Sequence, residues 1–178
     1  MRKVVLKMDV SLDGFVGAPG GEVDWIFRDF DDELRAWIVE VLWQAGTHIM
    51  GRVTYHDMAA YWPSSTEEFA PPMNELPKVV FSTTLKEAAW NDSRVADGDL
   101  AEEISRLRRQ PGNDILAHGG AQFAQSLSKL GLIDEYRLIV HPVALGSGLP
   151  LFAQAIDLKL VGSRTFGSGA VALTYERA

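Results

Sequence analysis

Cysteine is absent from the sequence, which excludes disulfide bonds, thiolate metal sites and cysteine nucleophiles. Long apolar runs are also missing, because no stretch approaches the roughly 18 residues of a transmembrane helix. Residues 1–7 are too short and too charged for the apolar core of a secretory signal. We therefore expect a cytoplasmic protein with no membrane partner.

An excess of positive charge is a third feature that the sequence lacks. Lys and Arg number 17 against 24 Asp and Glu, for a formal net charge of −7. The imbalance lies entirely in residues 1–76, with 13 acidic and 6 basic residues, whereas residues 77–178 hold 11 of each. We expect no nucleic-acid partner, since no basic face is available to neutralise phosphates.

The sequence does contain enough apolar surface for one folded domain. Its 178 residues are 47% hydrophobic and 23% charged, which excludes an intrinsically disordered chain. This length suits one hydrophobic core, and no linker, repeat or low-complexity tract divides the chain. We predict a single domain over residues 1–178.

Strands and helices alternate through the first two thirds of the chain. Apolar runs and glycines predict strands at residues 3–10, 47–50, 78–82 and 114–118, with helices that begin near Asp31, Tyr55, Leu100 and Gly120. Four glycines within residues 14–21 predict a long mobile loop, and four prolines within residues 62–77 predict another.

The last third of the chain reads differently, because strands follow one another without helices between them. The predicted strands are residues 135–143, 159–165 and 171–176, and we expect them to pair in antiparallel fashion. The pattern predicts an α/β fold whose mixed sheet has a parallel centre and an antiparallel C-terminal extension.

Two segments pass from a strand through glycine directly into a helix. They are Gly51-Arg52-Val53-Thr54 and His118-Gly119-Gly120-Ala121-Gln122, and Ser82 and Thr83 follow a third strand. Free N–H groups at a helix start bind phosphate, and strand ends of an open α/β sheet bind ligands. Arg52 adds a planar fork suited to a phosphate monoester. The alternatives are that each glycine serves only turn geometry and that Arg52 pairs with a surface acid.

Three sets of residues resemble one known family, the reductase domain of riboflavin biosynthesis, within the dihydrofolate-reductase-like superfamily. Residues 5–14 read Val-Leu-Lys-Met-Asp-Val-Ser-Leu-Asp-Gly, similar to that family's strand lysine followed by Ser-Leu-Asp-Gly. Residues 50–54 are similar to the Gly-Arg-x-Thr of dihydrofolate reductases, and residues 119–148 carry the family's paired glycines and its Leu-Gly-Ser-Gly. The resemblance implies a three-layer α/β/α fold and a homodimer, for which residues 136–143 offer an apolar surface.

The resemblance also implies NADPH as the cofactor, lying across the strand ends. Arg52 would hold the adenosine 2′-phosphate, and Gly51 and Thr54 the pyrophosphate. The remaining implied contacts are Ser82 and Thr83 at the adenosine, Gly119, Gly120, Ala121 and Gln122 at the pyrophosphate and nicotinamide ribose, and Val16 and Gly17 at the nicotinamide.

The substrate is a small molecule whose identity the sequence leaves open. Dihydrofolate reductases carry an acid about sixteen residues before the Gly-Arg motif, where this chain has Arg35, so folate reduction is disfavoured. Riboflavin-type reductases have a glutamate before the paired glycines, where this chain has His118. By resemblance, Lys7 is the candidate for a substrate phosphate.

Other candidate residues surround the expected substrate position. Asp9 and Asp13 are the catalytic candidates, to orient substrate or relay a proton, although Asp13 in Asp-Gly is equally suited to fixing a turn. Trp25 and Trp62 are candidate pocket walls, and His118 is a candidate substrate contact. The four histidines show no metal-ligand spacing, so we expect no metal.

Two functional hypotheses remain. The first is an NADPH-dependent reductase acting on a small heterocyclic or sugar-derived substrate, similar to 5-amino-6-(5-phosphoribosylamino)uracil reductase. The second is a nucleotide-binding or interaction module that keeps the scaffold without turnover, since fold does not fix function. A pterin reductase is a further alternative within the superfamily.

Overall fold

Short apolar strands assemble into one eight-stranded sheet in the computed structural model, which describes residues 1–178. The strands are β1 Val4–Ser11, β2 Phe15–Gly17, β3 Thr47–Gly51, β4 Lys78–Phe81, β5 Ser93–Val95, β6 Ile115–Ala117, β7 Glu135–His141, β8 Leu149–Pro150, β9 Leu158–Thr165 and β10 Val171–Arg177. The sheet order is β5-β4-β3-β6-β1-β7-β10-β9, and β2 pairs with β8 outside it.

Five α-helices and two 3₁₀ turns connect these strands. The helices are α1 Asp32–Trp43, α2 Arg52–Tyr61, α3 Ala70–Glu75, α4 Leu100–Arg109 and α5 Ala121–Lys129, and the 3₁₀ turns are Asp24–Asp29 and Trp62–Ser64. Side chains that accept a hydrogen bond from the first turn fix two of the helix starts: Asp31 accepts from the N–H of Leu34, and Asp99 from that of Glu102. None of the helices combines the length and apolar character needed to cross a bilayer.

The sheet has the mixed topology that the sequence predicts. The first six strands in the sheet order, from β5 through β4, β3, β6 and β1 to β7, run parallel to one another. Strand β10 is antiparallel to both β7 and β9. The carboxyl ends of the parallel strands therefore meet at one edge of the sheet.

Helices cover both faces of the sheet and give it two apolar layers of 17 buried residues each. One layer packs α4 and α5 against residues such as Leu6 and Ile115. The other packs α1 and α3 against residues such as Val5 and Leu116. Alternate residues of a strand point to opposite faces, so both layers draw on the same strands. The three-layer α/β/α fold is confirmed.

The segment predicted as a loop at residues 62–77 contains helical structure. Helix α3 begins at Ala70, and Pro71 and Pro72 occupy its first turn. Proline in that turn lacks only an N–H that has no partner in the helix, and its fixed φ suits helical geometry. The prolines therefore start a helix here, and the predicted uninterrupted loop was wrong.

Residues 13–21, predicted as a long mobile loop, are tied to the rest of the chain. Strand β2 lies within this segment and pairs with β8, and the Leu151 N–H donates to the Gly14 carbonyl at 3.0 Å.

Residues 136–143, expected to offer a dimer surface, lie mostly in β7, which is an interior strand between β1 and β10. Its apolar residues pack into this sheet, and the dimer stays a prediction.

Candidate active site

Two helix starts lie side by side at the carboxyl edge of the parallel strands. Helices α2 and α5 begin after Gly51 and Gly120, and neither glycine offers a side-chain cap. The first N–H groups of each helix therefore have no intrahelical acceptor and sit at the positive end of a helix dipole. The Gly51 Cα approaches so closely that an added Cβ would lie 3.3 Å from Phe123 Cβ of α5.

The space between the two helix starts is open at Gly120. An added Cβ at this residue would have Thr54 Oγ1 as its nearest neighbour, at 3.8 Å. Its φ of −80° is accessible to any residue, and packing within the chain leaves room for a side chain here. The missing side chain instead leaves room for a ligand against the N–H groups. Of the predicted residues, the fold thus brings Gly51, Thr54 and Gly120 together.

Arg52 and Ser82 occupy equivalent positions on neighbouring strand ends. Gly51 of β3 pairs in register with Phe81 of β4. Arg52 and Ser82, each the next residue after its strand, therefore lie at neighbouring strand ends on the same level of the sheet. The Arg52 side chain is exposed and forms no ion pair. Ser82 Oγ accepts hydrogen bonds from two N–H groups of the turn that contains the exposed Thr83. Arg52 is therefore free to meet an anion.

A chain of charged groups occupies the neighbouring part of this edge, on the α1 face of the sheet. Lys7 Nζ donates to Asp9 Oδ2 at 2.8 Å, and Asp9 Oδ1 lies 2.9 Å from His141 Nε2. His141 Nδ1 in turn lies 3.0 Å from Asp29 Oδ1. His141 is completely buried, and Lys7 and Asp9 are only 12% and 15% exposed at their side chains.

These contacts fix the charge states of Asp9 and His141. Burial opposes ionisation of Asp9, but Lys7 and His141 outweigh it and lower the pKa of Asp9 to about 2. Burial also opposes protonation of His141, but its hydrogen bonds to Asp9 and Asp29 raise the pKa of this histidine above the usual value. Asp9 is therefore ionised at neutral pH and orients Lys7, without a proton of its own to donate.

The His141 pairing predicts a specific pH dependence of stability. Because its folded pKa is raised, the stabilisation is complete below the unfolded value of about 6.5 and is lost as pH rises through the folded pKa. His141→Gln should lower the free energy of unfolding by about 2 kcal/mol at pH 6 and by less at pH 9. Urea unfolding at both pH values measures this difference, with the exposed His56→Gln as the control. An equal loss at both pH values would contradict the assigned charge.

His118 lies behind Gly119 and contacts a second histidine. His118 Nε2 is 2.8 Å from His48 Nδ1, and the two residues are 5% and 0% exposed. Burial lowers the pKa of both rings, to about 4 for His48 with a further contribution from the Lys78 ammonium. Both histidines are therefore neutral at physiological pH.

Asp13 holds a turn, in keeping with one of its two predicted roles. Its carboxylate accepts hydrogen bonds from the N–H groups of Leu145 and Gly146, at 3.0 and 2.7 Å, and from the Ser11 hydroxyl at 2.6 Å. Together these bonds lower the pKa of Asp13 to about 2, and the hydrogen bond from Ser11 makes the largest contribution. They tie the segment with Val16 and Gly17, both buried, to the turn before β8.

The two candidate tryptophans take different positions. Trp25 is 3% exposed and packs edge-on against the His141 ring at a centroid distance of 5.6 Å. Trp62 is half-buried and packs against Phe69. Trp25 thus packs against His141 in the protein interior, whereas Trp62 keeps a solvent-accessible surface.

Sequence reasoning did not find four residues in or near the site: His141, Asp29 and Phe30 at this edge, and His48, which lies deeper in β3 and contacts His118. Phe30 and Phe69 stack beneath the Arg35 guanidinium, with 5.4 and 5.9 Å to the ring centroids, and Arg35 forms no ion pair. A usable signal existed for the two histidines, since each adjoins a run of apolar strand residues, 49–50 for His48 and 138–140 for His141. A polar residue buried in a strand needs a partner, and that partner is often functional.

Comparison with known proteins agrees with this geometry. The RibD C-terminal domain family matches residues 2–172. The chain is 37% identical to the uncharacterized protein YyaP of Bacillus subtilis (strain 168), over 98% of this chain and 94% of that protein. It is 25% identical to the riboflavin biosynthesis protein RibD of Corynebacterium ammoniagenes, over 90% of this chain and 49% of that protein.

A solved structure shows the same fold at lower sequence identity. A protein of Shewanella sp. PV-4 that is named for riboflavin biosynthesis superposes with a TM-score of 0.78 at 22% identity, over 99% of both chains. The family match spans nearly every element described above, from β1 to the start of β10. With its mixed sheet and paired glycine helix starts, this chain belongs to the RibD C-terminal domain family.

Proposed function

We propose that the protein is an NADPH-dependent reductase of a small heterocyclic or sugar-derived substrate, similar to 5-amino-6-(5-phosphoribosylamino)uracil reductase. The observation that carries this proposal is the pair of uncapped helix starts beside the unpaired Arg52. Reductases of the RibD family use NADPH. A net charge of −7 gives no general attraction for a polyanion, so binding depends on these local groups.

The residues at the sheet edge fit a dinucleotide phosphate. Gly51, Thr54 and the segment 119–122 would hold the pyrophosphate and the nicotinamide ribose at the two helix starts. Arg52 would pair with the 2′-phosphate, and Ser82 and Thr83 would flank the adenosine. Val16 and Gly17 would border the nicotinamide. The open space at Gly120 supports this assignment, because a side chain there would fill it.

The substrate side would use residues on the α1 face of the sheet. When bound, NADPH supplies a hydride to an electrophilic carbon of the substrate. Asp9 holds Lys7 in position for the substrate, and Asp13 shapes the neighbouring turn. His118 and Trp62 would contact the heterocycle or its sugar. Asp9 already neutralises Lys7, which leaves Arg35 as the cation free to pair with an acidic group of the substrate.

Single residues bear on the two alternative functions, the non-catalytic module and the pterin reductase. His118 in place of the family's glutamate favours a nucleotide-binding module without turnover, because a neutral ring replaces a charged acceptor. Arg35 at the position of the folate-binding acid disfavours the pterin reductase. A proposed homodimer and a cytoplasmic location are compatible with each of these functions.

A turnover screen separates these functions. The purified protein is incubated with NADPH and a panel of ribosylaminopyrimidines, other heterocyclic imines and dihydropterins, and loss of reduced nicotinamide absorbance is followed. We expect consumption with at least one ribosylaminopyrimidine and none with dihydrofolate. NADPH binding without consumption across the panel would support the non-catalytic module instead.

A further inference from the structure

Seven Lys and Arg side chains of this chain are buried or half-buried, and six of them have a polar partner. Four pair with a carboxylate, namely Lys7, Arg106, Arg108 and Arg137. Two donate to backbone carbonyls, namely Arg2 and Lys78. The seventh is Arg35, whose guanidinium has neither an ion pair nor a hydrogen bond. A charge that is partly removed from water needs an acceptor, and the chain supplies none to Arg35.

The acids closest to Arg35 in sequence do not neutralise it. Asp31 and Asp32 precede it by four and three residues, the spacing at which acid and base pair along a helix. The two oxygens of Asp31 instead accept from the N–H groups of Leu34 and Ser168, at 2.8 Å each. Asp32 is exposed and forms no ion pair. The guanidinium therefore keeps its full charge for another partner.

Aromatic rings hold the Arg35 side chain in place. The guanidinium lies over Phe30 and Phe69, and these two rings meet edge-on at a centroid distance of 6.1 Å. Phe69 is buried and Phe30 is half-buried. Ring faces attract a cation but are not oxygen acceptors, so the five N–H groups of Arg35 remain available. A carboxylate matches the edge of a guanidinium with two parallel hydrogen bonds.

Arg35 lies on the substrate side of the proposed site. The Phe30 ring beneath it also stacks on the His141 ring, with 9° between the planes and 6.4 Å between the centroids. His141 contacts Asp9 at 2.9 Å, and Asp9 holds Lys7. Arg35 is thus joined through two rings to the charged groups at the strand end.

The surrounding charges favour a ligand with one negative charge. Each ring nitrogen of His141 faces a carboxylate, and both contacts need a ring proton, so this ring is positive. Together with Lys7 it balances Asp9 and Asp29. Arg35 then remains as one half-buried positive charge, which a carboxylate would neutralise. A phosphate dianion would leave an excess negative charge beside the acidic first turn of α1.

We propose that Arg35 determines substrate specificity by binding a singly charged acidic group, a carboxylate, of the substrate. That the ligand is the substrate rests on the proposed function, whereas binding of a carboxylate at Arg35 concerns the chain alone. The site prefers a carboxylate to an uncharged amide of the same shape, because the amide leaves the guanidinium without a counter-charge. It also prefers a carboxylate to a phosphate monoester.

Arginine side-chain NMR tests carboxylate binding without NADPH or turnover. Benzoate, benzamide and phenyl phosphate are titrated into ¹⁵N-arginine-labelled protein near neutral pH, and Arg35→Lys assigns the Nε–Hε signal of Arg35. We expect a saturable shift of this signal with benzoate, binding of phenyl phosphate at least about tenfold weaker, and no shift with benzamide. Absence of a saturable benzoate shift, or an equal shift at the exposed Arg28, would overturn the carboxylate site. Tighter binding of phenyl phosphate would overturn the single charge.

Kinetics test the role of Arg35 in substrate choice. Compounds consumed in the turnover screen are compared in pairs that differ only in a carboxylate against its carboxamide. The wild type should show a KM about 10- to 100-fold lower for the carboxylate. Arg35→Gln should remove this preference by raising the KM of the carboxylate, with little change in kcat or in the KM for NADPH. The control is Arg28→Gln, an exposed cation of the 3₁₀ turn Asp24–Asp29.

Packing and recognition give different results in these experiments. If Arg35 only covers the two rings, Arg35→Gln will raise the KM of both compounds of a pair equally, which would overturn the proposal. Arg35→Lys keeps the charge without the fork and should retain part of the preference. If no compound consumes NADPH while benzoate still shifts the Arg35 signal, the proposed function and the substrate statement fail, and the carboxylate site stands.

Discussion

Gly120→Ala is expected to weaken NADPH binding about tenfold or more while the protein remains folded. The φ of −80° suits alanine, and the nearest group from another part of the chain would be Thr54 Oγ1, at 3.8 Å from the added Cβ. The methyl group would instead occupy the space between the starts of α2 and α5, where we place the pyrophosphate. Backbone N–H groups bind phosphate only at close approach, so a small obstruction has a large effect.

Stability and affinity must be measured together for this variant. We expect the free energy of unfolding to change by less than about 1 kcal/mol, the usual effect of replacing an N-cap glycine by alanine. Gly162→Ala is the matched control, since an added Cβ there meets Thr174 at 3.8 Å in the antiparallel extension. If Gly120→Ala binds NADPH as tightly as the control does, the phosphate does not lie between the two helix starts.

Arg52→Ala is expected to weaken NADPH binding by about 10- to 100-fold and to leave NADH binding nearly unchanged. The guanidinium is exposed and has no acidic partner, so its removal breaks no ion pair within the chain. A fork-shaped cation on a phosphate monoester forms two charge-assisted hydrogen bonds, and NADH has no such phosphate. The variant should therefore lose discrimination between the cofactors.

The comparison of two cofactors makes this prediction specific. Arg109→Ala removes a similar positive charge at the end of α4 and serves as the control for the general field of the protein. Arg52→Lys should retain part of the preference, because a lysine supplies charge without the fork. An equal loss of NADPH and NADH affinity in Arg52→Ala would show that residue 52 does not contact the 2′-phosphate.

Local chemistry explains which elements the sequence could predict. Helix α4 begins at Leu100, where the sequence predicted its start, because Asp99 caps this end. The glycine helix starts were also visible, since strand, glycine and helix follow one another within a few residues. Strands β2, β5 and β8 were missed because two or three residues are too few to show a period. The equally short β6 was recognised from its apolar run directly before His118 and the paired glycines.

The charged part of the site depends on contacts between distant parts of the chain. Asp9 and His141 are 132 residues apart, and His48 and His118 are 70 apart. No local pattern links such pairs, and only the strand order brings them together. Lys7 and Asp9 are two residues apart on β1 and share one face of the sheet, but the alternation of a strand could not show that they pair with each other and with His141.

Direct titration of NADPH against intrinsic tryptophan fluorescence tests the central claim that this sheet edge binds the cofactor of a reductase. The account predicts saturable binding at micromolar NADPH, with NADH at least about tenfold weaker because it lacks the 2′-phosphate. Absence of saturable NADPH binding up to millimolar concentration would contradict it.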